Sequence, residues 1–239
     1  NIVGSMHPVR EWTDKIHAVG AIAIVDGVSY AGHGLPDIDA LGADIYLFSL
    51  YKVYGPHLGV MTMRKTLNEK LPNQGHFFNA DYPTARFTPC GPDHAQIASV
   101  NGVIDYFDAV YSHHFGDVEV TPQRKTSRVR ALFQHTERRN LQPLLDFLGQ
   151  RQSVHLIGKT GTKNRAPTVA FTVEGQHPGE VAAQLAKQNI GIGNGNCYAY
   201  RLMEALDIPP DQGVVRLSFV HYTSKEEMNR LLEVLDSIL

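Results

Sequence analysis

The fold is decided by the stretch Ala21–Met63, which reads AIAIVDGVSYAGHGLPDIDALGADIYLFSLYKVYGPHLGVMTM. It contains three short apolar runs rich in β-branched and aromatic residues, at Ala21–Val25, Ile45–Phe48 and Gly59–Met63. Glycine, proline or aspartate bounds each run, and this combination is typical of fully buried strands in an α/β sheet. The pattern therefore predicts three strands of one sheet.

Two of the predicted strands are followed by a charged side chain. Asp26 ends the first strand, and Lys52 comes shortly after the second, beyond Ser49. Charged groups at buried strand ends cost free energy unless they pair with an opposite charge or bind a ligand. Ligands of α/β sheets bind at the carboxyl ends of the strands, which makes Asp26 and Lys52 candidate site residues. The ordinary alternative is a solvated lysine and an aspartate that caps the next segment.

One cofactor chemistry uses a carboxylate and a lysine of this kind. Pyridoxal phosphate (PLP) is held as a Schiff base on a lysine, and an acidic side chain partners its pyridine nitrogen. The carboxylate keeps that nitrogen protonated, so the ring can draw electrons from a carbanion at the substrate Cα. Lys52 and Asp26 are candidates for these two roles.

The longer segment Val25–Met61 resembles the core of the class V aminotransferases, the fold-type-I PLP enzymes that include the cysteine desulfurases. The matching features are a strand ending in Asp-Gly, His33 four residues before Asp37, Gly-Ala-Asp before the second strand, and Ser49-x-x-Lys52 followed by Tyr54-Gly55-Pro56. The resemblance continues more loosely to the C-terminus. It implies an α/β fold: the C-terminal part of a PLP-dependent transferase fold, with a mixed and mostly parallel sheet, plus a small α+β C-terminal domain.

The resemblance implies a role for several polar residues. Lys52 would carry the cofactor and then act as general base at the substrate Cα. Asp26 would face the pyridine nitrogen, and Ser49 would touch the phosphate. Arg216 aligns with the family arginine that binds the substrate α-carboxylate, a task suited to a planar guanidinium.

Three further cofactor contacts are implied at Asn1, Ser29 and Gly91. Asn1 falls where the family has an asparagine close to the ring oxygen, and an exposed turn residue is an equal alternative. Many desulfurases have Gln where Ser29 stands and commonly Thr where Gly91 stands. A phosphate contact at Gly91 would therefore come from a backbone N–H. The 12 histidines show no ligand-like spacing, so no metal site is expected.

A segment near Cys197 bears on desulfurase activity. Desulfurases of this group carry a nucleophilic Cys-Ala pair there, followed by Leu-Met. Alignment of Ala199 and Leu202-Met203 puts Tyr198 at the nucleophile's position, with Cys197 one residue earlier at the start of a predicted helix. One residue of helix is about 100° of rotation, which would aim the sulfur away from the cofactor. We therefore expect no efficient cysteine desulfurase, and keep desulfurase or selenocysteine lyase activity as an alternative.

The order of predicted elements indicates two domains. Residues 1–116 would form part of a PLP-binding large domain, and residues 117–239 a small α+β domain. The predicted strands of the second domain are Val154–Ile157, Thr168–Val173 and Val214–Val220, and the predicted helices of the whole chain include Pro8–Val19, Pro92–Tyr111, Thr121–Leu148, Pro178–Asn189 and Lys225–Leu239. The family has a larger chain with a ring-stacking residue and a main phosphate loop upstream, so we expect a piece of a longer protein.

Bulk properties favour a soluble globular chain. The net charge of −2 and the pI near 6.7 give no basic field that would favour nucleic acid or an anionic membrane. Cys90 and Cys197 lie far apart, which fits a reducing cytoplasm. No run approaches the roughly 20 apolar residues of a membrane span. The expectations are a cytoplasmic homodimer that binds an amino acid or a related amine as its small-molecule substrate.

Two other classes of function stay open at this point. A catalytically inert relative could keep the fold as a scaffold or regulatory subunit. A structural nucleotide-binding domain is weaker, because the glycine-rich segment Gly191–Asn196 follows no long strand of a βαβ unit and has no downstream acid.

Overall fold

The computed structural model describes residues 1–88, 91–116 and 118–239, and the chain divides into two compact units. The N-terminal unit is Pro8–Arg130, and the C-terminal unit combines Asn1–His7 with Ala131–Leu239. The chain passes from one unit to the other inside a long helix. The predicted domain boundary falls at residue 117, which lies outside the described residues, and it stays a prediction.

The N-terminal unit contains a three-stranded sheet of order β1-β2-β3. Strand β1 (Ile24–Asp26) runs parallel to β2 (Ile45–Ser49), and β2 runs antiparallel to β3 (Gly59–Met63). The three predicted strands are confirmed, although the first begins at Ile24 rather than Ala21. The sheet is mixed, in agreement with the predicted α/β class.

The strands of this sheet are less buried than the sequence predicts. Ile24, Leu47 and Met61 share one face of the sheet, and Ile24 and Met61 are 61% and 44% exposed. The prediction of fully buried strands is wrong for the described chain, because no described element covers this part of the face. On the opposite face, Tyr46 of β2 is buried.

Helices follow the strands and precede them, as an α/β fold requires. They are α1 (Val9–Ala18), α2 (Ile38–Leu41), α3 (Lys65–Lys70), α4 (His94–Ala98), α5 (Asn101–Phe115) and α6 (Pro122–Gly149), the last of which continues into the C-terminal unit. The single helix predicted over Pro92–Tyr111 is wrong: it is two helices. Between them the N–H of Val100 donates to the carbonyl of Ile97, and this three-residue spacing interrupts the α-helical ladder.

The C-terminal unit contains an antiparallel sheet of order β4-β5-β7-β6. Its strands are β4 (Val154–Ile157), β5 (Thr168–Val173), β6 (Gly193–Gly195) and β7 (Val214–Ser218). The first two match their predicted bounds, and β7 ends at Ser218 rather than Val220. Strand β6 was not predicted, because Gly-Asn-Gly has little strand propensity and becomes a strand only by pairing with β7.

The core of this unit lies on one face of the sheet. Val169, Phe171 and Val173 alternate along β5 and pack with leucines of α6, α7 (Pro178–Lys187) and α9 (Lys225–Ile238). A smaller cluster contains Ala170 of β5, Ile2, Ile157, Val214 of β7 and Met203 of α8 (Tyr200–Ala205). None of the described helices combines the length and the apolar composition that a membrane span requires.

The first residues of the chain are held against the start of β5. The N–H of Ala166 donates to the carbonyl of Gly4 at 2.7 Å, and the N–H of Met6 donates to the carbonyl of Asn164 at 3.1 Å. Gly4 has a left-handed φ of +68°, and a Cβ built there would lie 2.5 Å from the carbonyl oxygen of Thr168. The close approach of the two backbones therefore requires glycine at this position.

We predict that Gly4→Ala destabilises the full-length protein more than the control Gly20→Ala. Gly20 has a matching φ of +73°, but a Cβ there would meet nothing within 4 Å. Both variants carry the left-handed penalty of about 1–2 kcal/mol, and only Gly4→Ala adds a clash with backbone. Urea denaturation of both variants measures the difference, and equal losses of unfolding free energy would contradict the packing described at Gly4.

Candidate active site

The carboxyl ends of β1 and β2 lie at the same edge of the N-terminal sheet, because the two strands are parallel. Asp26 at the end of β1 pairs in register with Leu47, and Ser49 ends β2. The chain then enters a 3-10 turn, Leu50–Val53, that contains Lys52. The structure therefore brings Asp26, Ser49 and the Lys52 turn to one edge of the sheet.

A short turn after β1 orients the carboxylate of Asp26. The N–H of Val28 donates to Oδ1 of Asp26 at 2.9 Å, and the N–H of Gly27 donates to the carbonyl of Leu47 at 2.8 Å. Asp26 is exposed, as is Ser29 within the same turn. One carboxylate oxygen is thus held by the backbone while the side chain stays accessible.

The Lys52 turn is fixed at both ends by hydrogen bonds. The N–H of Leu50 donates to the carbonyl of Leu58 at 2.8 Å. Tyr54 has a left-handed φ of +70°, and its hydroxyl donates to the carbonyl of Gly32 at 3.1 Å. Lys52 itself is exposed, with its Nζ 5.9 Å from the centre of the Tyr51 ring. A rigid backbone therefore carries a freely accessible amine.

Ser49 and Gly91 differ in how the structure places them. Ser49 is half-buried in β2, opposite Gly59 of β3. Gly91 is exposed, and a Cβ there would meet nothing within 4 Å. Gly91 directly follows residues outside the described part of the chain, among them Cys90.

Asn1, Arg216 and Cys197 lie together in the C-terminal unit, although the sequence separates them widely. Nη1 of Arg216 donates to the carbonyl of Asn1 at 3.3 Å, and Nδ2 of Asn1 donates to the carbonyl of Cys197 at 2.8 Å. Nε of Arg216 is buried and has no hydrogen-bond partner among the described residues. A side chain at Gly193, opposite Arg216 in β6, would approach Nε at 3.4 Å.

Cys197 and Tyr198 occupy a turn and are not part of a helix. Their φ angles are +47° and +64°, and α8 begins only at Tyr200, so the predicted helix start at Cys197 is wrong. Asn196 stabilises the turn: its Oδ1 accepts from the N–H of Tyr198 at 3.1 Å, and its Nδ2 donates to the carbonyl of Pro210 at 3.0 Å. Tyr198 is fully exposed, whereas Cys197 is half-buried with its sulfur 3.8 Å from the carbonyl oxygen of Asn194. A turn, and not the start of a helix, therefore carries the two residues, and Tyr198 is the more exposed of them.

Sequence reasoning missed one buried cation. Arg165 is 4% exposed, and its Nη2 donates to the carbonyl of Thr168 at 3.2 Å. Its Nε and Nη1 have no partner among the described residues, and burial lowers the pKa of its guanidinium. No sequence signal distinguishes it from a solvated arginine. Among the described residues, no group of three or more His, Cys, Asp or Glu side chains could hold a metal ion.

The family model for class-V aminotransferases matches residues 1–110 and 129–231. The chain belongs to the class-V aminotransferase family. The predicted family of PLP-dependent enzymes and the predicted fold class are thereby confirmed.

Individual members of the class-V aminotransferase family are similar over the whole chain. The aminotransferase-like protein FGM3 of Gibberella zeae is 32% identical over 100% of this chain and 57% of its own length. The cysteine desulfurase-like protein ustD of Aspergillus flavus is 30% identical over 100% of this chain and 52% of its own length. A solved apo cysteine desulfurase from Thermococcus onnurineus NA1 superposes with a TM-score of 0.82 at 26% identity, over 100% of this chain and 57% of that one. The chain thus spans little more than half the length of these relatives.

Proposed function

We propose that the full-length protein is a PLP-dependent enzyme that acts on an amino acid or a related amine. The observation that carries the proposal is the sheet edge at which parallel strands present Asp26 and the Lys52 turn. Both side chains are exposed, and an accessible amine at the same sheet edge as a backbone-oriented carboxylate supports the assignment of the two residues to the two ends of a PLP ring. When bound, PLP supplies an electron sink for negative charge at the substrate Cα.

Each residue of this edge has a proposed task. Lys52 would hold the cofactor through its amine, which, once released, would act as the general base for the proton at the substrate Cα. Asp26 partners the pyridine nitrogen through its carboxylate, whose Oδ1 already accepts from Val28. The hydroxyl of Ser49, the side chain of Ser29 and the backbone N–H of Gly91 are the proposed further cofactor contacts.

Arg216 is the proposed binding group for the substrate carboxylate. Its buried Nε has no partner in the described chain, and an unpaired buried donor costs free energy that a carboxylate would offset. Its Nη1 is oriented by the carbonyl of Asn1, which is proposed to lie near the cofactor ring oxygen. Family resemblance supports a homodimer, and the wide separation of the two cysteines in the sequence supports a reducing cytoplasm; we include both in the proposal.

The binding of PLP is tested by its visible absorption band. Titration of the full-length protein with PLP is expected to produce the band of a lysine Schiff base in wild type and in the control Lys70→Ala, whose lysine is also exposed. Lys52→Ala is expected to lose it. If the wild-type protein develops no band, the proposal fails in favour of an inert scaffold. If Lys52→Ala develops a normal band, Lys52 is not the lysine that binds PLP.

The role of Arg216 is tested by Arg216→Lys, which keeps the charge but loses the planar fork. We expect the binding free energy of amino acids to become less favourable by about 1–3 kcal/mol, the range for a hydrogen bond to a charged group. Arg201→Lys, at an exposed position of α8, is the matched control and should leave affinity unchanged. Spectral titration with amino acids measures both, and equal affinities in the two variants would overturn the assignment.

Cysteine desulfuration is the second candidate, favoured by relatives whose names include that activity. The turn argues against it, because the fully exposed side chain there is Tyr198 and not Cys197. We predict slow sulfide release from cysteine, with little change in Cys197→Ala. Assays with reductant measure the rates, and fast turnover that vanishes in Cys197→Ala would restore the desulfurase assignment.

A further inference from the structure

Tyr46 lies directly beneath the turn that carries Asp26. Its side chain is 2% exposed near the start of β2, opposite Val25 of β1. A Cβ built on Gly27 would lie 1.9 Å from the Tyr46 hydroxyl oxygen and 2.1 Å from Cζ. The tip of the phenol therefore touches the backbone of Gly27, the residue that follows Asp26.

Gly27 is required here for space. Its φ is not in the left-handed region, so an alanine at this position would suffer no backbone strain. The obstacle to an alanine side chain is its clash with Tyr46. Gly27 is also buried, and its carbonyl accepts from the N–H groups of Tyr30 and Ala31, each at 3.0 Å. A displacement of Gly27 would therefore shift the whole turn, including the Val28 N–H that binds Asp26.

The phenol of Tyr46 stays neutral at this site. Burial raises its pKa to about 12, with smaller contributions from Tyr30 and from the charge of Asp26. A neutral phenol therefore packs against the turn.

We propose that Tyr46 is a positioning residue that fixes the Asp26–Val28 turn and so aims the Asp26 carboxylate at the cofactor's pyridine nitrogen. The second half of this inference rests on the proposed PLP function, whereas the first half concerns only the turn. The three Tyr46 atoms nearest to a Cβ at residue 27 would be the hydroxyl oxygen, Cζ and Cε1, and two of them belong to the ring.

The first measurement uses the cofactor-free full-length protein. Amide hydrogen exchange is recorded at residue 27, whose N–H donates to Leu47, relative to Leu50, whose N–H donates to Leu58 in the same unit. Tyr46→Leu and Gly27→Ala are expected to reduce protection at residue 27 roughly tenfold relative to Leu50, as local opening predicts. Tyr46→Phe keeps Cζ and Cε1 and should resemble wild type. Gly102→Ala, in α5 with nothing near its Cβ, is the control.

The second measurement is the ¹⁵N chemical shift of the pyridine nitrogen in PLP-loaded protein. Tyr46→Leu should move it toward the unprotonated form, and Tyr46→Phe should not. Unchanged relative protection in both Tyr46→Leu and Gly27→Ala overturns the positioning role. Changed protection with an unchanged nitrogen shift overturns the link to the cofactor. If wild type takes up no PLP, the proposed function fails and with it that link, while hydrogen exchange alone decides the role in the turn.

Discussion

The parallel pairing of β1 with β2 is the constraint on which the candidate site depends. Parallel strands have their carboxyl ends at the same edge of a sheet. The pairing of β1 with β2 therefore places both Asp26 and the segment from Ser49 to Lys52 at this edge. The antiparallel pairing of β2 with β3 adds the hydrogen bond from Leu50 to Leu58, which closes the Lys52 turn. A change of register between β1 and β2 would separate the side chain of Asp26 from that of Lys52.

The proposed site residues belong to both units of the chain. Asp26, Ser49 and Lys52 belong to the N-terminal unit, whereas Arg216 and Asn1 belong to the C-terminal unit. Hydrogen bonds within each unit orient these side chains: the N–H of Val28 orients Asp26, and the carbonyl of Asn1 orients Arg216. The proposed cofactor residue Asp26 and the proposed substrate residue Arg216 are therefore each held by a hydrogen bond within their own unit.

Strand positions with clear apolar alternation were predictable, and features created by tertiary pairing were not. Strands β4 and β5 have the predicted bounds because Val, Ile, Thr and Phe dominate them. Strand β6 is Gly-Asn-Gly and has no such signal. Local patterns predicted Asp26 and Lys52 as site candidates. Arg216 and Asn1 are 215 residues apart in the sequence, and only the family resemblance made both of them site candidates. The support of Gly27 by Tyr46 likewise depends on packing across strands, which periodicity does not reveal.

The central claim is that Lys52 is the residue that binds PLP. The most direct measurement is borohydride reduction of the PLP-treated full-length protein, followed by peptide mapping with mass spectrometry. The account predicts a pyridoxyl group on the peptide that contains Lys52. A label on another lysine, or no label with PLP present, would contradict it.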